Sequence, residues 1–232
     1  MVSAIIVAAG SSRRMGFDKL FAPLAGKPVL WYSLKAFSDC KAVDELLVVV
    51  REEQMDKVEK LVGHEKFKKV TKVISGGAER HISVWNGLQA VDAHGSEFIA
   101  IHDGARPLTT PALIQSCLDL AKLHGAACTA SQIPDTVKRA SIEQMVTESV
   151  ERTGLWAMQT PQVFSSGLIL QAYAALMAKH EMVTDEVSAV QKLGKKIALL
   201  KNEEWNLKIT YPHDLELAEH VLGLRAKKHA RP

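Results

Sequence analysis

Cysteine is scarce in this chain, long apolar runs are missing, and neither sign of charge dominates. Its 232 residues include three cysteines, an odd number with no Cys-x-x-Cys pair. That excludes a disulfide framework and a zinc ribbon. Cys40, Cys117 and Cys128 each lie in or beside an apolar stretch and are expected as buried, reduced thiols. No apolar run approaches the roughly 20 residues that a membrane-crossing helix needs. A charged segment followed by an apolar one does not open the chain, because a strand-like run begins at Val2, and a cytoplasmic protein is expected. The net charge of +3 is too weak to imply nucleic acid. Much of the excess sits in residues 225–232, where Arg225, Lys227, Lys228 and Arg231 are expected to form a frayed, solvated end. Repeats, low-complexity tracts and linkers are also missing, so residues 1–224 read as one domain. A hydrophobic content of 47% is enough for that domain to bury its own core.

Alternating segments organise the first half. Strands are expected at Ser3–Val7, Asp44–Val50, Lys69–Ile74, Phe98–His102 and Ala126–Ser131. Between them, helices are expected at Pro28–Phe37, Glu52–Leu61, Arg80–Val91 and Ala112–Leu123, the last entered through a Thr110 cap with Pro111 at its first turn. This alternation predicts an α/β protein of Rossmann-like form, a mostly parallel twisted sheet with helices on both faces. The pattern breaks at about residues 133–158, where two short alternating segments predict a β-hairpin outside the main sheet. It is either a plain surface loop closure or a protruding β-arm used for subunit pairing. Helices at Ser166–Lys179, Asp185–Leu193 and Pro212–Leu222 follow, with strands at Ile197–Leu200 and Leu207–Ile209. Thr160-Pro161-Gln162 reads as a conformationally restricted turn, because Pro161 pushes Thr160 toward extended geometry.

The first strand runs into Ala8-Ala9-Gly10-Ser11-Ser12-Arg13-Arg14-Met15-Gly16, with Lys19 close behind. Small residues let backbone N–H groups approach an anion, and the two arginines and the lysine add fixed positive charge, so the loop reads as a polyphosphate cradle. It is not a P-loop, which has four residues between its glycines; five separate Gly10 from Gly16, and Phe17 follows. Nor is it a dinucleotide fingerprint, since Ser12 stands where the second glycine belongs.

Ligands of parallel sheets bind outside the carboxyl ends of the strands. The third strand delivers Gly76, Gly77, Arg80 and Ser83, and the fourth delivers His102, Asp103 and Arg106. Asp103 is read as a magnesium ligand, or else as an ordinary turn cap. His102 is read as a packed strand residue, because magnesium prefers oxygen. Arg80 and Ser83 can offer a guanidinium and a hydroxyl to a nucleotide, and Arg152 and Lys208 are further cations. Thr184 reads as an N-cap ahead of Asp185 and Glu186.

These motifs occur in an order that resembles the 2-C-methyl-D-erythritol 4-phosphate cytidylyltransferases of the non-mevalonate isoprenoid pathway, from Ala4 to about Leu222. The His-Asp-Gly-Ala-Arg-Pro run at 102–107, paired with Thr-Pro-Gln at 160–162, is the most specific part. The resemblance implies transfer of a cytidylyl group from CTP to a polyol phosphate, methylerythritol phosphate, with Mg²⁺ or another divalent cation, by a homodimer joined through the arm. It implies Arg14, Lys19 and Lys208 as catalytic cations, and Ala8, Ala9, Gly10, Ser11, Ser12, Gly77, Arg80 and Ser83 as nucleotide contacts. Asp103 would hold the metal, and Asp103, Arg106, Thr136, Arg152, Thr160 and Thr184 would surround the methylerythritol phosphate. Leu20 and Ala78 depart from the family pattern, and neither removes a proposed charge. Two alternatives stay open: a ribitol 5-phosphate cytidylyltransferase, and a non-catalytic nucleotide-binding regulator.

Overall fold

The computed structural model describes residues 1–12, 15–92 and 95–229. In chain order its elements are β1 (Val2–Val7), β2 (Pro23–Leu24), β3 (Lys27–Pro28), α1 (Val29–Asp39) and β4 (Glu45–Val50). A short 3-10 turn (Glu52–Gln54) leads into α2 (Met55–Glu65), β5 (Val70–Ser75), α3 (Arg80–Ala90), β6 (Phe98–Asp103), α4 (Pro111–His124) and β7 (Ala126–Gln132). Then come β8 (Val137–Ala140), β9 (Val146–Val150), β10 (Trp156–Ser165), α5 (Ser166–Ala178), α6 (Glu186–Gln191), β11 (Ala198–Lys201) and α7 (His213–His229).

Seven strands form the main sheet in the order β11-β7-β10-β6-β1-β4-β5. β1 pairs in parallel with β4 and β6, β4 with β5, and β7 with β11, whereas β10 runs antiparallel between β6 and β7. The central strands are continuous apolar runs because both faces are covered. Val2, Ala4 and Ile6 of β1 join one core with Leu30, Leu34 and Phe37 of α1, Val58 of α2 and Leu118 of α4. Ile5 and Val7 join the opposite core with Val84 and Leu88 of α3, Tyr173 of α5 and Val190 of α6. Strand alternation thus sends successive residues of one strand to opposite helix layers. Each fully buried Leu or Phe contributes about 1.5–3 kcal/mol.

Helix ends follow local chemistry. Thr110 Oγ1 accepts the Leu113 N–H at 3.2 Å, Pro111 fills the first turn, and Gly125 closes α4 in the left-handed region at φ 78°. At α6 the cap is Asp185, whose carboxylate accepts the Ser188 N–H at 3.0 Å, and not Thr184 as expected.

Three further expectations change. Thr160-Pro161-Gln162 lies within strand β10, and the Thr160–Pro161 peptide is cis. The ladder to β7 shifts register between Met158 and Gln162, so Pro161 sits in an irregularity where no N–H is demanded. Leu207–Ile209 is not a strand: the Ile209 N–H bonds the Ala105 carbonyl, but the Lys208 carbonyl takes the Thr210 hydroxyl and no ladder forms. The basic end is helical as far as His229, because Arg225 donates to the Leu108 carbonyl at 2.7 Å and meets Glu204 at 3.3 Å. The expected hairpin is present as β8 and β9, an insertion between the paired strands β7 and β10.

Candidate active site

The carboxyl ends of β1, β4, β5 and β6 open on one cleft of about 560 Å³. Ala8, Ala9, Gly10, Ser11 and Ser12 line it after β1, with Lys19 beyond. Arg51 follows β4; Gly77, Ala78, Arg80 and Ser83 follow β5; Asp103 and Ala105 come from β6, and Lys208 from the late loop. Arg13 and Arg14 lie outside the described residues.

Two loops touch at the mouth because both are built from small residues. A Cβ on Gly76 would stand 2.4 Å from Ala9 Cβ and 2.8 Å from Ser83 Oγ. Gly76→Ala must therefore push the loops apart, an overpacking cost of about 1–3 kcal/mol, which lowers the midpoint of denaturant unfolding. The Ser83 hydroxyl is occupied: it accepts the Gly77 N–H at 3.1 Å and donates to the Glu79 carbonyl at 3.1 Å. Ser83 is buried and fixes the glycine turn.

Asp103 is the hub of the floor. Its Oδ1 lies 3.1 Å from Nη2 of Arg80, and its Oδ2 lies 2.8 Å from Lys208 Nζ and 3.6 Å from Arg106 Nε. Burial opposes its charge, yet Arg80, Lys208 and Arg106 outweigh burial and hold its pKa well below the usual carboxylate range. Lys19 donates to the Ile209 carbonyl at 2.8 Å, one residue from Lys208. Arg106, nearly buried, also donates to the Asn206 carbonyl at 2.7 Å, and burial lowers its pKa.

Neighbouring His102 is fully buried, packs against Phe37 with ring centroids 4.9 Å apart, and is pushed down to about 3 by burial. It is neutral near pH 7 and does not line the cleft. Thr160 is buried too. Its hydroxyl accepts the Asp103 N–H at 3.1 Å and meets His102 Nδ1 at 3.0 Å, so it fixes the end of β6 and does not line the cleft. Thr136, Arg152 and Thr184 are exposed and do not line it either. Arg152 donates to the Pro134 carbonyl across the base of the arm.

Two participants fall outside the expectations drawn from sequence. Arg51 directly follows β4 and is accessible to the strand-end rule. Glu186 binds Arg80 from 106 positions away, and no local pattern signals that pairing.

A cationic cleft lined by close-approaching backbone, at the carboxyl edge of a mostly parallel sheet, defines a nucleotide-binding α/β protein. The chain belongs to the 2-C-methyl-D-erythritol 4-phosphate cytidylyltransferase family (IspD), whose model matches residues 2–224. A 2-C-methyl-D-erythritol 4-phosphate cytidylyltransferase of Caldanaerobacter subterraneus subsp. tengcongensis is 41% identical over 225 residues, covering 95% of this chain and 98% of its own. One from Dehalococcoides mccartyi strain CBDB1 is 43% identical over 222 residues, covering 95% and 96%. Among solved structures, 4-diphosphocytidyl-2C-methyl-D-erythritol synthase from Anaerococcus prevotii DSM 20548 superposes with a TM-score of 0.84 at 30% identity, covering 96% of each chain. The cytidylyltransferase of Thermus thermophilus gives a TM-score of 0.79 at 29% identity, covering 94% of this chain and 98% of that one.

Proposed function

We propose that this chain transfers the cytidylyl group of CTP to 2-C-methyl-D-erythritol 4-phosphate, giving 4-diphosphocytidyl-2-C-methyl-D-erythritol and pyrophosphate. The observation that carries the reading is the crowd of cations around one carboxylate at the cleft floor. A phosphate oxygen of the polyol phosphate attacks the α-phosphorus and forms the new P–O bond. The α–β anhydride bond breaks, and pyrophosphate leaves with the electron pair.

The nucleophile is already an anion, so no general base is required. The site accordingly supplies cations, and nearby His102 is buried and neutral. Mutual repulsion of two anions is the main obstacle, and fixed positive charge is what lowers it. Without ligand, Asp103 holds Arg80, Arg106 and Lys208 in place. With ligand, Lys19, Lys208 and Arg14 are assigned to the phosphoryl oxygens, and Ala8 to Ser12, Gly77, Arg80 and Ser83 to the nucleotide.

A divalent cation fits as part of the incoming nucleotide. Among the described residues no group of three His, Cys, Asp or Glu forms a resident metal site, whereas the cleft wall carries two carboxylates, Asp103 and Glu79, and Asp103 is the one that ends a central strand. Magnesium needs only one or two such oxygens beside phosphate and water. Asp103 would meet it there, and the ion would neutralise phosphate charge.

Arg106 and Thr184 are assigned to the polyol phosphate side, and Thr160 to holding the end of β6 in place behind it. Thr136 and Arg152 flank the arm, away from this chain's own cleft, and suit a homodimer in which the arm crosses to a second copy. Ile142, Met145 and Val146 on the arm are exposed, apolar material for such a contact. A chain with Ile142, Met145 and Val146 replaced by Ser is expected to sediment as a monomer where the parent sediments as a dimer. A parent monomer at micromolar concentration would contradict the arm's assignment. Among the described residues no helix is long and apolar enough to cross a membrane, and a cytoplasmic location is proposed with the reaction.

The relatives are named for methylerythritol phosphate, which weighs against ribitol 5-phosphate as the acceptor. Incubation with CTP, Mg²⁺ and methylerythritol phosphate is expected to yield the diphosphocytidyl product by mass spectrometry, and ribitol 5-phosphate is expected to yield none. The reverse pattern would overturn the assignment.

A further inference from the structure

A carboxylate enclosed by protein is costly unless its oxygens are matched. Glu186, the first residue of α6, has no exposed surface. Its carboxylate takes the Arg80 guanidinium as a fork, Nη1 to Oε1 at 2.6 Å and Nη2 to Oε2 at 3.1 Å. Tyr173 of α5 donates its hydroxyl to the same Oε1 at 3.1 Å. On the other side of the guanidinium, Nε and Nη2 each lie 3.1 Å from Asp103 Oδ1. Arg80 therefore bridges one carboxylate on the wall of the cleft and another that does not line it.

Burial opposes the charge on Arg80, but Glu186 and Asp103 outweigh it and keep the guanidinium firmly protonated. Stability alone is a weak reason for such an arrangement, because apolar packing of equal volume usually serves a fold as well as a buried ion pair. A forked pair adds something packing does not: it fixes the plane of the guanidinium. With Asp103 alone as partner, Arg80 would keep its freedom to swing.

We infer that Glu186 is a positioning residue for the nucleotide cleft, holding Arg80 in one orientation and, through Arg80, setting the Asp103 carboxylate and the cations gathered on it. The inference rests on the cytidylyl-transfer reading for its ligand, and it takes α6 and α5 into the machinery of a cleft they do not line.

The test uses Glu186→Gln in the full-length chain, which keeps the volume but sets an amide N–H₂ against one arm of the guanidinium. Calorimetry is expected to show CTP binding weakened at least about tenfold, the scale of one hydrogen bond to a charged group lost or misaimed. Arg80→Met is expected to weaken CTP binding too, and the double variant is expected to be no worse than Arg80→Met alone. Parent-like CTP affinity in folded Glu186→Gln, or losses that simply add in the double variant, would overturn the inference. Tyr173→Phe removes only the outer hydrogen bond and decides the matter if Glu186→Gln does not fold. A smaller loss of CTP affinity at parent-like stability supports the inference, and unchanged affinity overturns it. A parent chain that binds CTP yet releases no pyrophosphate with methylerythritol phosphate would instead sink the transfer reading, leaving the positioning role to be judged on binding.

Discussion

Lys19→Ala is expected to fold as the parent chain does and to release pyrophosphate about 10²–10³-fold more slowly, a loss of roughly 3–4 kcal/mol of transition-state stabilisation. Lys19 is partly exposed and its ammonium rests on the Ile209 carbonyl, so its removal opens no cavity in the core. In the proposed transfer its charge serves the phosphoryl oxygens, where negative charge grows only as the α-phosphorus is attacked. The fall is therefore expected in kcat and in kcat/KM together, because an interaction made only in the transition state is lost from both. Stopped-time pyrophosphate assays over a CTP series, alongside unfolding midpoints, check both halves. Turnover near that of the parent would remove Lys19 from the mechanism.

Asp103→Asn is expected to damage stability and activity together. Arg80 keeps Glu186, but Lys208 and Arg106 lose the carboxylate that gathers them. Removing one partner of a buried ion pair costs about 3–5 kcal/mol, and the lower end applies because Lys208 reaches solvent. The pH dependence has a definite sign. Asp103 is held below its ordinary value of 3.8 in the folded chain, so its contribution is complete above that pH and lost as pH falls through the folded value. Acid unfolding of the parent should therefore be steeper below pH 3.8 than that of Asp103→Asn. Denaturation curves at a series of acidic pH values read this directly, and parallel curves would show that the fold does not hold the carboxylate below its ordinary value.

The two cases mark what is legible in the sequence. Strands β1, β4 and β6 stand out because burial on both faces demands continuous apolar runs, and strand ends lead to Lys19, Gly77 and Asp103 by topology alone. Strand β10 does not, because Pro161 marks a turn in local statistics while the fold places it in a register shift between two neighbours. Thr160 is expected from the family resemblance to face substrate, whereas its hydroxyl is occupied by Asp103 and His102 in the fold. Lys208 is visible in the sequence only as a late cation; its 2.8 Å contact with Asp103 joins residues 105 positions apart. Charges that pair across such separations leave no periodic trace. For that reason Glu186 is legible only as part of a capping segment beside Asp185, and its grip on Arg80 is not.

The most direct measurement is pyrophosphate release by the parent chain with Mg²⁺ and methylerythritol phosphate, run in parallel with CTP, ATP, GTP and UTP. Release with CTP well above the other three, and dependent on the polyol phosphate, is the predicted result. No release from any nucleotide, or release that does not need the polyol phosphate, would contradict the account.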